Sequence, residues 1–92
     1  MYVTPKMLWA ARFLLGLSRD EIGAAAGLSG KTVARIEAGG AKASVEALAA
    51  VQNALERMGV VFLPQTEDQG EGLRMPRNAS VTRPTRARRP NE

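Results

Sequence analysis

A mainly α fold is expected from this chain: a compact set of four short helices, then a short β-strand or hairpin, then a disordered basic tail. Three observations carry that reading. Thr4, Ser18, Ser29 and Ser44 each precede an apolar pattern of helical period, and a glycine closes each pattern. The run Val60-Val61-Phe62-Leu63 is rich in β-formers and then meets Pro64. Residues 76–92 hold three of the five prolines, and Val81 is their one sizeable apolar residue.

The first helix is expected over residues 5–15. Thr4 is its N-cap, Pro5 its first residue, and Gly16 its stop. Leu8, Trp9, Ala11, Arg12 and Leu15 recur at helical spacing, and Trp9, Phe13 and Leu17 are expected in the core. Ser18-Arg19-Asp20-Glu21 has the form of a capping box, serine first and glutamate three residues on. It opens a second helix over 19–26, with Ile22, Ala25 and Ala26 on one face and Gly27 past its end. A third helix is expected over 30–38, with Val33, Ala34 and Ile36 inward and Gly39-Gly40 after it. A fourth is expected over 45–58, with Val45, Leu48, Val51 or Gln52, Leu55 and Met58 spaced by threes and fours, closed by Gly59. Residues 60–63 and 72–75 are two candidate strands of a hairpin.

The chain has 92 residues, no cysteine and no histidine. Those two absences exclude disulfides, cysteine nucleophiles, Cys/His zinc sites and a Ser-His-Asp triad. No phosphate loop or metal cluster accompanies the hydroxyls and carboxylates, so the protein is not expected to be an enzyme or to need a cofactor. No apolar run approaches the roughly 20 residues of a membrane span, and residues 1–5 lack the pattern of a signal peptide. A cytoplasmic protein is expected, with no membrane partner.

The formal charge of +4 is unevenly placed. Residues 1–43 carry +3, residues 44–73 carry −4 and residues 74–92 carry +5. The basic balance suits an anionic partner, but the high pI belongs to the tail.

The informative stretch is Arg19 to Ala38: two short helices joined by a tight turn at Gly27, with Ile22, Ala26, Leu28, Val33 and Ile36 as their shared apolar seam. Gly23 sits inside the second helix, where glycine costs about 1 kcal/mol relative to alanine. Close packing of the third helix against it is the expected reason.

This stretch resembles the Cro/CI-type (XRE-type) helix-turn-helix regulators of bacteria and phages. The matching residues are Leu17-Ser18-Arg19-Asp20-Glu21-Ile22, Ala26-Gly27-Leu28-Ser29, Thr32-Val33 and Arg35-Ile36-Glu37-Ala38-Gly39. The resemblance covers about residues 4–63. It implies a DNA-binding domain over 1–63 with its motif at 19–38; the apolar hairpin over 60–75 is a candidate dimer contact, and composition sets the tail over 76–92 apart. Two departures stand out: Gly23 where the family usually has alanine, and Gly30 where many relatives carry a base-reading side chain.

The resemblance implies that the third helix enters the major groove of double-stranded DNA. Ser29, Gly30, Lys31, Thr32 and Arg35 would then face the groove. Lys31 and Arg35, four apart, suit guanine O6 and N7, and Thr32 suits a thymine methyl or a phosphate. Arg19 would meet the DNA backbone. Lys42, Ser44 and the amides of the Gly39-Gly40 loop suit a phosphate at the start of the fourth helix. The resemblance also implies a structural pair, Arg12 with Glu37.

A homodimeric repressor is the expected form, since half-site binding favours two-fold symmetry. Leu55, Met58, Val60 and Phe62 are the expected dimer contacts, with burial inside the chain as the alternative. The tail has two readings: it follows DNA, or it docks on an acidic protein partner. Two other functions fit the same motif. One is an adaptor that contacts RNA polymerase or another regulator, the other an antitoxin repressing its own operon.

Overall fold

The computed structural model describes residues 3–39 and 43–77. Four helices come first: α1 (Pro5–Leu15), α2 (Arg19–Ala26), α3 (Gly30–Glu37) and α4 (Val45–Arg57). Two strands follow, β1 (Val61–Leu63) and β2 (Gly72–Arg74), paired antiparallel with Phe62 opposite Leu73. The expected order of elements is therefore the observed one. α3 and α4 each end one residue short of the expected limit, and the strands are three residues each.

Local chemistry sets the helix ends. Each helix opens on a hydroxyl that accepts from the backbone N–H three residues on: Thr4 from Met7 (3.4 Å), Ser18 from Glu21 (3.0 Å), Ser29 from Thr32 (3.1 Å) and Ser44 from Ala47 (3.0 Å). The capping box is complete, because the Ser18 N–H also donates to Glu21 Oε1 at 2.7 Å. α2 closes with Leu28 N–H donating to Gly23 O (2.8 Å) and Gly27 N–H donating to Ala24 O (3.4 Å). That closure needs a left-handed residue, and Gly27 supplies it at φ +76°. The same six-residue return closes α1, from Leu17 to Arg12, and α4, from Val60 to Leu55.

The core is drawn from the four helices and β1, with half-buried Leu73 of β2 packed against it. Leu8, Ile22, Val33, Ile36, Val51 and Leu55 are fully buried, each worth roughly 1.5–3 kcal/mol on transfer from water. Phe62 and Val60 belong to the same core. The Arg57 guanidinium donates to Ala25 O (3.1 Å), so a carbonyl in the last turn of α2 is satisfied from α4.

Three expectations about burial are corrected. Trp9 and Phe13 are not core residues; they are 41% and 62% exposed. The buried stripe of α1 is Leu8, Ala11 and Leu15, and residues 9 and 13 form a neighbouring stripe that turns outward. There the two rings stack on each other, centroids 5.3 Å apart and planes 13° from parallel. Leu17 is half-buried and does pack against the core. Val45, expected on the inner stripe of α4, is exposed at its first turn.

The expected dimer contacts are corrected as well. Leu55, Val60 and Phe62 lie inside the monomer, and half-buried Met58 packs against the same core. The alternation of β1 explains this: Phe62 points in while Val61 and Leu63 point out. Gly23 is tight for a different reason from the one expected. A Cβ there would lie 2.5 Å from Leu28 O and 3.3 Å from the Ser29 carbonyl carbon, so the turn crowds it rather than the body of α3.

Candidate nucleic-acid interface

The turn between α2 and α3 is three residues long, Gly27 to Ser29. Its geometry fixes how the two helices cross, and the buried Ile22, Val33 and Ile36 lock them together. With Val33 and Ile36 inward, the opposite side of α3 faces solvent. Lys31 and Arg35 lie there, one turn apart, both exposed. Among the described residues neither forms an ion pair.

At the start of α3, the Ser29 and Thr32 hydroxyls lie 3.0 Å apart while Ser29 also caps the helix. These two hydroxyls are thus held in place by α3 itself. Gly30, the first residue of α3, backs onto Asp20. A Cβ built on Gly30 would overlap Asp20 Oδ1 and lie 3.0 Å from Asp20 Cγ. The family resemblance marks Gly30 as unusual, but the sequence contains no signal for Asp20, because that approach depends on how α2 and α3 cross.

Arg19 is the first residue of α2, at the positive end of its dipole, where a cation is unfavourable alone. Its Nε donates to Glu37 Oε1 at 3.0 Å, and half of its side chain remains exposed. Glu37 is the last residue of α3, and its side chain is only 4% exposed. Arg12 of α1 completes the group, with Nε on Glu37 Oε2, Nη2 on Oε1 (3.0 Å) and Nη1 on Leu17 O (2.8 Å). One carboxylate therefore joins α1, α2 and α3. The pair implied by the resemblance, Arg12 with Glu37, is present; the addition of Arg19 was not anticipated.

Ser44 caps α4 and is exposed. Lys42 and Gly40, expected beside it at a phosphate site, lie outside the described residues, as does the tail beyond Arg77. The structure thus brings Ser29, Gly30, Lys31, Thr32 and Arg35 together at α3, with Arg19 tethered to the far end of that helix through Glu37.

A helix-turn-helix family model matches residues 10–57, just over half of the chain. The chain belongs to the XRE-type (Cro/CI-type) helix-turn-helix family. The match spans α2, the turn and α3 completely, with most of α1 and all of α4. No curated protein and no solved structure matches the chain. Family membership makes this a DNA-binding helix-turn-helix regulator. No helix among the described residues of this XRE-type protein is long and apolar enough to cross a membrane.

Proposed function

We propose that this protein is a sequence-specific transcriptional regulator that acts as a homodimeric repressor and reads the major groove of double-stranded DNA with α3. The observation that carries the reading is the solvent side of α3. Lys31 and Arg35 stand one turn apart, exposed, on a helix whose other side is anchored in the core. A rigidly held helix with two cations on its outer face suits guanine O6 and N7, and Ser29 and Thr32 flank them. Arg19 and Ser44 add contacts to the phosphates on either side, with Lys42 in the same role. The tail adds further phosphate contacts without selecting sequence.

The test is binding of the full-length protein to genomic fragments and to random duplexes across a salt series. A Lys31→Ala/Arg35→Ala variant is expected to keep its melting temperature and its salt-dependent binding to random duplexes, and to lose its preferred fragment. Unchanged binding by a folded double variant overturns the role of α3.

A second reading rests on a separate observation. Trp9 and Phe13 form an exposed aromatic pair on α1, and a protein-interaction adaptor would use such a surface. Substituting both by serine distinguishes the readings: DNA binding persists in a regulator, whereas an adaptor loses its protein partner.

A further inference from the structure

We propose that Asp20 is a specificity-determining residue. Its carboxylate stands in for the side chain that Gly30 lacks and accepts a hydrogen bond from the N4 amino group of a cytosine in the major groove. This rests on the reading that α3 enters that groove.

Three features of the structure support it. First, the place is occupied. The Cβ of any other residue at position 30 would overlap Asp20 Oδ1, and the Asp20 amide nitrogen lies only 3.3 Å from that Cβ. Glycine at the head of α3 is therefore what allows the carboxylate to sit against this turn of the helix. Second, the carboxylate is uncommitted. Asp20 is exposed, and among the described residues no hydrogen bond or ion pair engages it. Its neighbours are engaged: Arg19 holds Glu37, Glu21 closes the capping box, and Ser29 and Thr32 face each other. Third, it has a reason to stay. The N-terminus of α3 carries partial positive charge, which attracts a carboxylate and reduces its repulsion from nearby phosphates.

The base follows from the acceptor. An ionised carboxylate offers acceptors and no donor. Cytosine presents the N4 amino donor in the major groove. Adenine sets its N6 amino donor beside the N7 acceptor, which repels a carboxylate. Lys31, next in α3, provides the complementary donor for a guanine. The α3 head thus pairs an acceptor from one helix with a donor from the other.

The experiment selects duplexes from a randomised pool with the full-length protein. It then measures the best duplex and its single-base variants against Asp20→Ala, Asp20→Asn and Gly30→Ala, with a thermal melt of each variant. The wild-type protein is expected to prefer cytosine at one position of the half-site by about fivefold to a hundredfold. Asp20→Ala flattens that one position, leaves the others unchanged, and binds random duplexes more tightly because a negative charge is gone. Gly30→Ala displaces the carboxylate and flattens the same position. Asp20→Asn, which has both an acceptor and a donor, moves the preference toward adenine. A cytosine preference that survives both Asp20→Ala and Gly30→Ala overturns the assignment, whatever happens to stability. A wild-type protein that selects no duplex overturns the groove reading itself, a different failure.

Discussion

Arg12 meets Glu37 at two points, Nε on Oε2 and Nη2 on Oε1, with 12% and 4% of the two side chains exposed. Removing one partner strands the other in a poorly solvated place. Glu37→Ala is therefore expected to cost about 3–5 kcal/mol in urea unfolding. It would also lose DNA binding through loss of fold, a confound for any scan of α3. A stability within 1 kcal/mol of wild type, to give an approximate bound, would show that the pair contributes little.

Gly23→Ala separates helix propensity from packing. Propensity alone favours alanine by roughly 1 kcal/mol. The carbonyl of Leu28 at 2.5 Å from the new Cβ belongs to the backbone of the turn and cannot swing away. Overpacking of this kind costs about 1–3 kcal/mol, so a lower melting temperature is expected. Ala25→Gly, at an exposed position of the same helix, measures the propensity term by itself.

Aromatic residues on α1 should matter less than an aliphatic one. Phe13→Ala removes a surface stack and is expected to cost no more than about 1.5 kcal/mol. Leu8→Ala opens a cavity in the core and is expected to cost about 2–5 kcal/mol. Chemical denaturation of both variants tests the order, and a Phe13 cost equal to that of Leu8 would place the ring in a buried contact.

Dimerisation, if it uses the hairpin, must use the outer face of β1. Val61 and Leu63 are 52% and 41% exposed. A Val61→Asp/Leu63→Asp variant is expected to keep its fold and sediment as a monomer under conditions where wild type is a dimer. A variant that remains dimeric moves the contact to another surface.

Deleting residues 78–92 removes Arg83, Arg86, Arg88 and Arg89. The preferred duplex is expected to remain preferred while overall affinity falls. The salt slope should fall by about one for each arginine that had met a phosphate. Loss of sequence preference would show that the tail reads bases.

Helix limits were legible in the sequence because they are local. Thr4, Ser18, Ser29 and Ser44 act on amides three residues away, and Gly16, Gly27 and Gly59 close turns within six. The motif itself was legible for the same reason. What joins distant segments was not. Arg19 reaches Glu37 across 18 positions, and Asp20 reaches Gly30 only because α2 and α3 cross as they do. Trp9 and Phe13 face outward and Phe62 inward because position on the helix stripe or strand face, which depends on the tertiary packing, decides their burial. Lys31 and Arg35 were easier to place, since a helix with Val33 and Ile36 inward leaves those two outside.

The three-residue connection between α2 and α3 has a kinetic meaning. Gly27 is already left-handed, Ser29 already caps, and both flanking helices are already closed. Nothing in that turn has to be ordered when a duplex arrives. Association should then be fast, and its heat-capacity change should reflect buried surface rather than coupled folding. In this fold the turn between α2 and α3 is complete before a duplex arrives.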